Sequence, residues 1–283
     1  WYFHADRIGV AVFQDLPQKY LSQGRTNMTV VHFVNDLKAM VAGRGNHPSI
    51  LQWTAFNEGD CWRVFTEDNP QGGGIGVGGV AALFKQLDPG RLLDLASGDP
   101  SGGTCPGPSC PMGGQPAPAQ SLALNESGDV ADLHTYPIPG DPRPDDGRTH
   151  FGSHGQRYGM VGEYSGLGAT PAGKQYLPGL CQHQNWCTCT QNGSQVPCFD
   201  CAANMTSELA LAYVALAQVL QSRAASGDIS ASVMTQLTDV ELECDGFLNY
   251  DRTAKFTPVE LKQVHDAHRK IMAPQRETLS YVR

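Results

Sequence analysis

The chain is short of positive charge: across 283 residues, 20 Lys and Arg stand against 28 Asp and Glu, a formal net charge of −8. That balance excludes the basic face from which nucleic-acid binders draw their affinity. Long hydrophobic runs are missing too, so no stretch reads as a helix spanning a bilayer. The opening, "WYFHADRIGV", has neither an initiator Met nor the profile of a signal peptide, and reads as the interior of a longer polypeptide. With 40% hydrophobic residues the chain has the means to build one large core or two modest ones.

Cysteine, by contrast, is plentiful. Five of the nine crowd into residues 181–201: Cys181, Cys187, Cys189, Cys198 and Cys201. Four N-x-S/T triplets accompany them, at Asn27, Asn125, Asn192 and Asn204. Together they point to a secreted or secretory-lumen protein, because reducing compartments do not keep disulfides. On that reading Cys105 pairs with Cys110 and at least two bridges lie inside 181–201. Cys61 and Cys244 are then candidates for the odd thiol or for partners of the Cys-rich stretch. The competing reading is a zinc site built from "CTC", "CFDC" and His183, whose spacing fits no closed structural site well. A redox role for Cys198 and Cys201 lacks the surrounding βαβ pattern.

Hydrophobic periodicity alternates between strand and helix. "IGVAVF", Ile8 to Phe13, reads as a short strand ending at Gln14-Asp15. Apolar residues at helical spacing predict a helix over 29–41, and Ile50 to Phe56 reads as an apolar strand. Val80, Leu83, Phe84 and Leu87 mark a helix that stops at the turn signal "DPGR". "RLLDLASG", "DVADLHTYP", "YGMVGEYSG" and "SASVMTQLTD" read as strands, and 207–225 as a long helix. Thr257-Pro258-Val259-Glu260 is a capping box with Pro at the first helical position. Two stretches read as loop inserts, the Pro/Gly-rich 99–128 and the Cys-rich 181–201.

Short apolar strands alternating with helices imply a parallel sheet covered by helices, either an open doubly wound sheet or a (β/α) barrel. Asp15, Glu58, Ser97, His134, Tyr136, Glu163 and Asp239 all fall at the C-terminal ends of strands. In a barrel those ends converge on one mouth, where the active site lies. Glu58 in "FNEG" and Glu163 in "GEYSG" stand out. A carboxylate pair facing across such a mouth can run acid/base and nucleophilic chemistry on a glycosidic bond, given environments that push the two pKa values apart. The plainer reading is that each Glu caps a helix N-terminus or a backbone turn.

"WYFHADRIGVAVFQDLP", "NHPSILQWTAFNEG", "DVADLHTYP", "VGEYSGLG" and "TQLTDVELECDGFLNYDR" together resemble the catalytic barrel of glycoside hydrolase family 2, which includes β-galactosidases, β-glucuronidases and β-mannosidases. The likeness runs from residue 1 to about residue 272, broken by the two inserts. It implies an α/β fold, a TIM-type (β/α)8 barrel of which this single domain supplies about strands 3 to 8. It also implies a β-galactosidase-like retaining mechanism on a carbohydrate substrate, with no cofactor. The acid/base maps to Glu58 and the nucleophile to Glu163, with carboxyl groups about 5–5.5 Å apart. Asn57 maps to the residue that touches the sugar 2-hydroxyl, and Tyr136 to an aromatic that hydrogen-bonds the nucleophile. His134 and Asp15 match pocket positions. The missing first strands have to come from upstream polypeptide or a partner chain. The alternative is a catalytically inactive secreted scaffold or glycan-binding protein on a hydrolase-derived barrel.

Three further features carry bland readings beside sharper ones. Gly74 to Gly79, "GIGVGG", with Asp94 about 20 residues on, matches a dinucleotide fingerprint, but no strand leads directly into it and a rim loop is the better reading. Trp62 is a sugar-stacking platform or a loop anchor. The acidic "TDVELECD", 238–245, reads as a solvated rim.

Overall fold

The computed structural model describes residues 1–17, 27–57, 77–98, 128–140, 157–168, 173–176, 187–191, 194–198 and 206–272. They fall into two units, Trp1–Leu133 with Pro142–Met160, and His134–Asp141 with Val161–Arg283.

The first unit opens with a helix over residues to which the periodicity assigns no element, and the strand expected over Ile8 to Phe13 lies a few residues later. Helix α1 spans Tyr2–Ile8 and is closed by Gly9 at φ 75°, a left-handed conformation that glycine adopts without a Cβ penalty. Tertiary contacts hold this helix in place. Asp6 accepts the Ser49 N–H at 3.0 Å and meets His47 Nδ1 at 2.6 Å, while Tyr2 stacks on the His47 ring. The strand begins only afterwards, as β1 (Val12–Asp15). Next come α2 (Asn27–Arg44), β2 (Ile50–Asn57), α3 (Val77–Leu87) and β3 (Leu92–Ser97).

These three strands form a parallel sheet in the order β1-β2-β3, with Asp15 opposite Thr54 and Asn57 opposite Ser97. Strand β2 is buried at six of its eight residues, as expected of a central parallel strand covered on both faces. Phe33, Leu37, Met40 and Val41 of α2 and Val80, Ala81 and Phe84 of α3 close over it, and Phe33 stacks on Phe56 at 4.9 Å. Trp53, 1% exposed, donates its indole N–H to Asp88 at 3.0 Å beneath the Arg91 guanidinium, 5.7 Å from the ring centre. Gly78 and Gly79 lie in the first turn of α3 rather than in a rim loop, and Gly74 to Gly76 lie outside the described residues. Asp94 is buried within β3, which removes it as a ribose-binding acid.

Strands β4 (Val130–His134) and β5 (Tyr158–Ser165) run across the division between units. After them come β6 (Cys187–Gln191), β7 (Ser194–Cys198), α4 (Thr206–Ala225), β8 (Ala231–Thr235) and α5 (Pro258–Met272). A second sheet has the order β4-β5-β8. Strands β6 and β7 form an antiparallel hairpin inside what the sequence presents as a loop, with Cys187 in register with Cys198. In the second unit Leu209, Tyr213, Leu216 and Leu220 of α4 pack with Val161, Phe256 and Val264. The capping box forms as expected: Thr257 N–H donates to the Glu260 carboxylate at 2.8 Å, and Glu260 N–H returns to Thr257 Oγ1 at 3.3 Å.

The acidic stretch is a solvated rim only at Glu241 and Glu243, which are exposed, while Asp239 and Asp245 are buried. Asp239 is 1% exposed and pairs with the fully buried Lys255 Nζ at 2.7 Å. Its carboxylate also accepts the Gly246 N–H at 2.9 Å. Gly246 is required there, since a Cβ would lie 2.1 Å from the Thr238 carbonyl carbon. Cys244 is disulfide-bonded, so it is not the odd thiol. Cys61, Cys105, Cys110, Cys181 and Cys201 lie outside the described residues. The result is a mixed α/β chain with two small three-stranded sheets, compatible with part of a barrel.

Candidate active site

Strand β5 is buried over Gly159–Gly162 and emerges at Glu163, whose side chain keeps 28% exposure. Backbone lacing sets what surrounds it. Thr135 N–H bonds the Glu163 carbonyl at 3.0 Å, Ser165 N–H bonds Pro137, and Gly166 N–H bonds Thr235, each at 3.1 Å. The chain then turns sharply, with Ser165 held at φ 85°, a left-handed conformation that costs a residue with a side chain.

Two side chains converge on one oxygen of Glu163. The Tyr136 hydroxyl donates to Oε2 at 2.5 Å, and His134 Nδ1 lies 3.3 Å from the same atom. Thr235 Oγ1 is 3.2 Å from the Tyr136 hydroxyl, placed to donate to it. Burial, and then the Glu163 charge, push the Tyr136 hydroxyl well above the usual phenol range. It therefore stays protonated and acts as a fixed donor, which holds the carboxylate in one rotation and stabilises its anionic form. All four residues belong to the second unit.

The remaining sequence-derived positions belong to the first unit or lie outside the described residues. Asn57 ends β2 and is part-buried, and Asp15 ends β1 and is exposed. Glu58 and Trp62 lie outside the described residues. Ser97, at the tip of β3, donates to Asp132 at 2.8 Å. In the same strand Asp94 is buried, and burial together with the Asp132 charge pushes its carboxyl well up. Nothing in the alternating apolar pattern of β3 marks that carboxylate for burial. Among the described residues no three His, Cys, Asp or Glu side chains are grouped to hold a metal ion.

No family model and no curated protein matches the sequence. Solved structures do. A GH2 β-galacturonidase from Eisenbergiella tayi bound to galacturonate superposes with a TM-score of 0.55 at 16% identity, over 95% of this chain and 42% of that one. A β-glucuronidase from Ruminococcus gnavus in complex with D-glucuronic acid gives 0.55 at 14% identity, over 94% and 41%. An FMN-binding β-glucuronidase from Faecalibacterium prausnitzii gives 0.51 at 18% identity, over 93% and 36%. The fold is similar to part of these glycosidase structures, one of them a GH2 enzyme. The chain spans about two-fifths of the length of these structures. The family likeness drawn from the short motifs is thus matched by a likeness of backbone.

Proposed function

We propose that this chain is the catalytic part of a retaining β-glycosidase. The carrying observation is the Glu163 carboxylate fixed by the protonated Tyr136 hydroxyl, with His134 on the same oxygen. A nucleophile must be ionised and held in line with the anomeric carbon, and a donor fixed on the Glu163 carboxylate favours both. Glu163 attacks the anomeric carbon and forms a glycosyl ester as the bond to the aglycone breaks. Glu58 gives its proton to the departing oxygen. Its carboxylate then takes a proton from water, whose oxygen attacks the same carbon and releases Glu163. Asn57 hydrogen-bonds the sugar 2-hydroxyl, and Asp15 and Trp62 contribute to the pocket. The six strands β1, β2, β3, β4, β5 and β8 correspond in this reading to barrel strands three to eight, and the first two are supplied by upstream polypeptide or by a partner chain. Nine cysteines and four sequons support a secreted or secretory-lumen location.

The test is turnover of a panel of aryl β-glycosides, paired with trapping by the matching 2-deoxy-2-fluoroglycosides. Peptide mass spectrometry should find the label on Glu163, and Glu163→Gln should lose both label and turnover. Label on another residue reassigns the nucleophile. No turnover and no label from any sugar ends the enzymatic reading.

A further inference from the structure

Asp245 is an acid that the proposed mechanism leaves unused. It is fully buried, and its Oδ1 accepts the Gln236 side-chain amide at 2.9 Å. The same amide nitrogen donates to the exposed Glu243 at 2.9 Å. Gln236 directly follows Thr235, whose Oγ1 lies 3.2 Å from the Tyr136 hydroxyl, and that hydroxyl holds Glu163. Backbone bonds tie the run together: Gln236 N–H reaches the Asp245 carbonyl at 3.4 Å, and Phe247 N–H the Gln236 carbonyl at 2.9 Å. Asp245 thus connects to the candidate nucleophile through one amide, one peptide unit and two hydroxyls, all in the second unit.

A carboxyl so placed has two charge states within ordinary pH. Burial pushes it up to about 6, with the Gln236 amide acting against that and the Glu243 charge adding to it. Lys255, ahead of α5, draws it down with a charge it also gives to Asp239. From α4 the Tyr213 hydroxyl donates to the Asp245 carbonyl at 3.5 Å, and burial keeps that phenol protonated. Tyr136 faces it from the turn after β4. Burial and the Glu163 charge are the larger causes of the raised Tyr136 hydroxyl, and the Asp245 charge adds to them. Beside a neutral Asp245 the phenol is therefore the stronger donor and grips Glu163 harder. Beside the anion the grip slackens, and the Glu163 carboxylate is left more reactive. We propose that Asp245 is a positioning residue for Glu163, its charge passed on through the Tyr136 hydroxyl, and that it gives the candidate nucleophile a pH response of its own. The inference rests on the reading of Glu163 as nucleophile.

NMR of the full chain, with tyrosine carrying ¹³C at the ring carbon that bears the hydroxyl, tests it without requiring turnover. The Tyr136 signal is the one missing from Tyr136→Phe. In the wild type it should shift with a step near pH 6. Asp245→Asn keeps an acceptor for Gln236 but has no charge to gain, and should lose that step with circular dichroism unchanged. The surface change Glu243→Gln removes a repelling charge, and should keep the step but move it to lower pH. No step in the wild type, a step that Glu243→Gln leaves in place, or one that persists in Asp245→Asn and so belongs to Glu163 or His134, each overturns the inference. Where aryl glycosides are turned over, Asp245→Asn should remove an inflection near pH 6 from the kcat profile. A profile unchanged by the substitution overturns the positioning role. The step at Tyr136 without any turnover would sink the enzymatic reading and leave the coupling standing.

Discussion

Tyr136 and Asp245 illustrate how burial sets what a single side chain does. The phenol is kept protonated, so Tyr136→Phe removes a donor to a charged acceptor, worth about 1.5–3 kcal/mol. Under the proposed mechanism kcat should fall about 10- to 100-fold while the melting temperature moves little. Asp245 moves in the same direction, a carboxyl that burial pushes up to about 6. Its folded pKa stands above the ordinary value of 3.8, so folding favours the protonated form. The associated stability is fully present below about pH 4 and is lost as pH rises through about 6. Asp245→Asn should therefore raise the melting temperature at pH 8 relative to wild type, with the gain vanishing near pH 4, while its side-chain oxygen still accepts from Gln236. Thermal denaturation at both pH values measures this, and a gain independent of pH would remove burial of the charge as the cause.

At the scale of elements, the run that leads from β8 to α5 is held by a buried ion pair together with isolated β-bridges such as Thr238 to Leu248. Lys255 Nζ reaches Asp239 and the Cys244 carbonyl, and Gly246 donates to the same Asp239. Removing one member of such a pair leaves an uncompensated charge in the interior, at about 3–5 kcal/mol. Lys255→Ala should lower the urea midpoint accordingly, and Asp239→Asn combined with Lys255→Met should recover part of the loss. Little of this was legible in the sequence. "TDVELECD" is acidic and follows a strand, and the partner that takes Asp239 inside is the distant Lys255. The β6–β7 hairpin left a clearer trace: alternating residues on either side of Asn192-Gly193, a dipeptide typical of tight hairpins. The cysteine spacing drew attention away from it. The α5 cap, by contrast, needs only four consecutive residues and was readable in full.

For the molecule as a whole, strand and helix order was readable because each core-facing element carries its own period. The exception is the first helix, Tyr2–Ile8, which no apolar period announces and which is held by His47 and Ser49, some forty residues away. Glu163, Tyr136 and His134 were identifiable because each lies in a short motif at a strand tip. Their convergence on one carboxylate oxygen needs the backbone bonds that tie Thr135 to Glu163 and Thr235 to Gly166. The packing around Trp53 gives the first unit an optical signature of its own. An indole sealed from water emits to the blue of a solvated one, and Trp1, 74% exposed, supplies the contrast within the same chain. As denaturant opens the core of Phe33, Leu37 and Phe56, the blue part of the emission should move to the red and report that event separately from the loss of helical ellipticity. Trp53→Phe should weaken the blue side of the native spectrum and shift its maximum to the red.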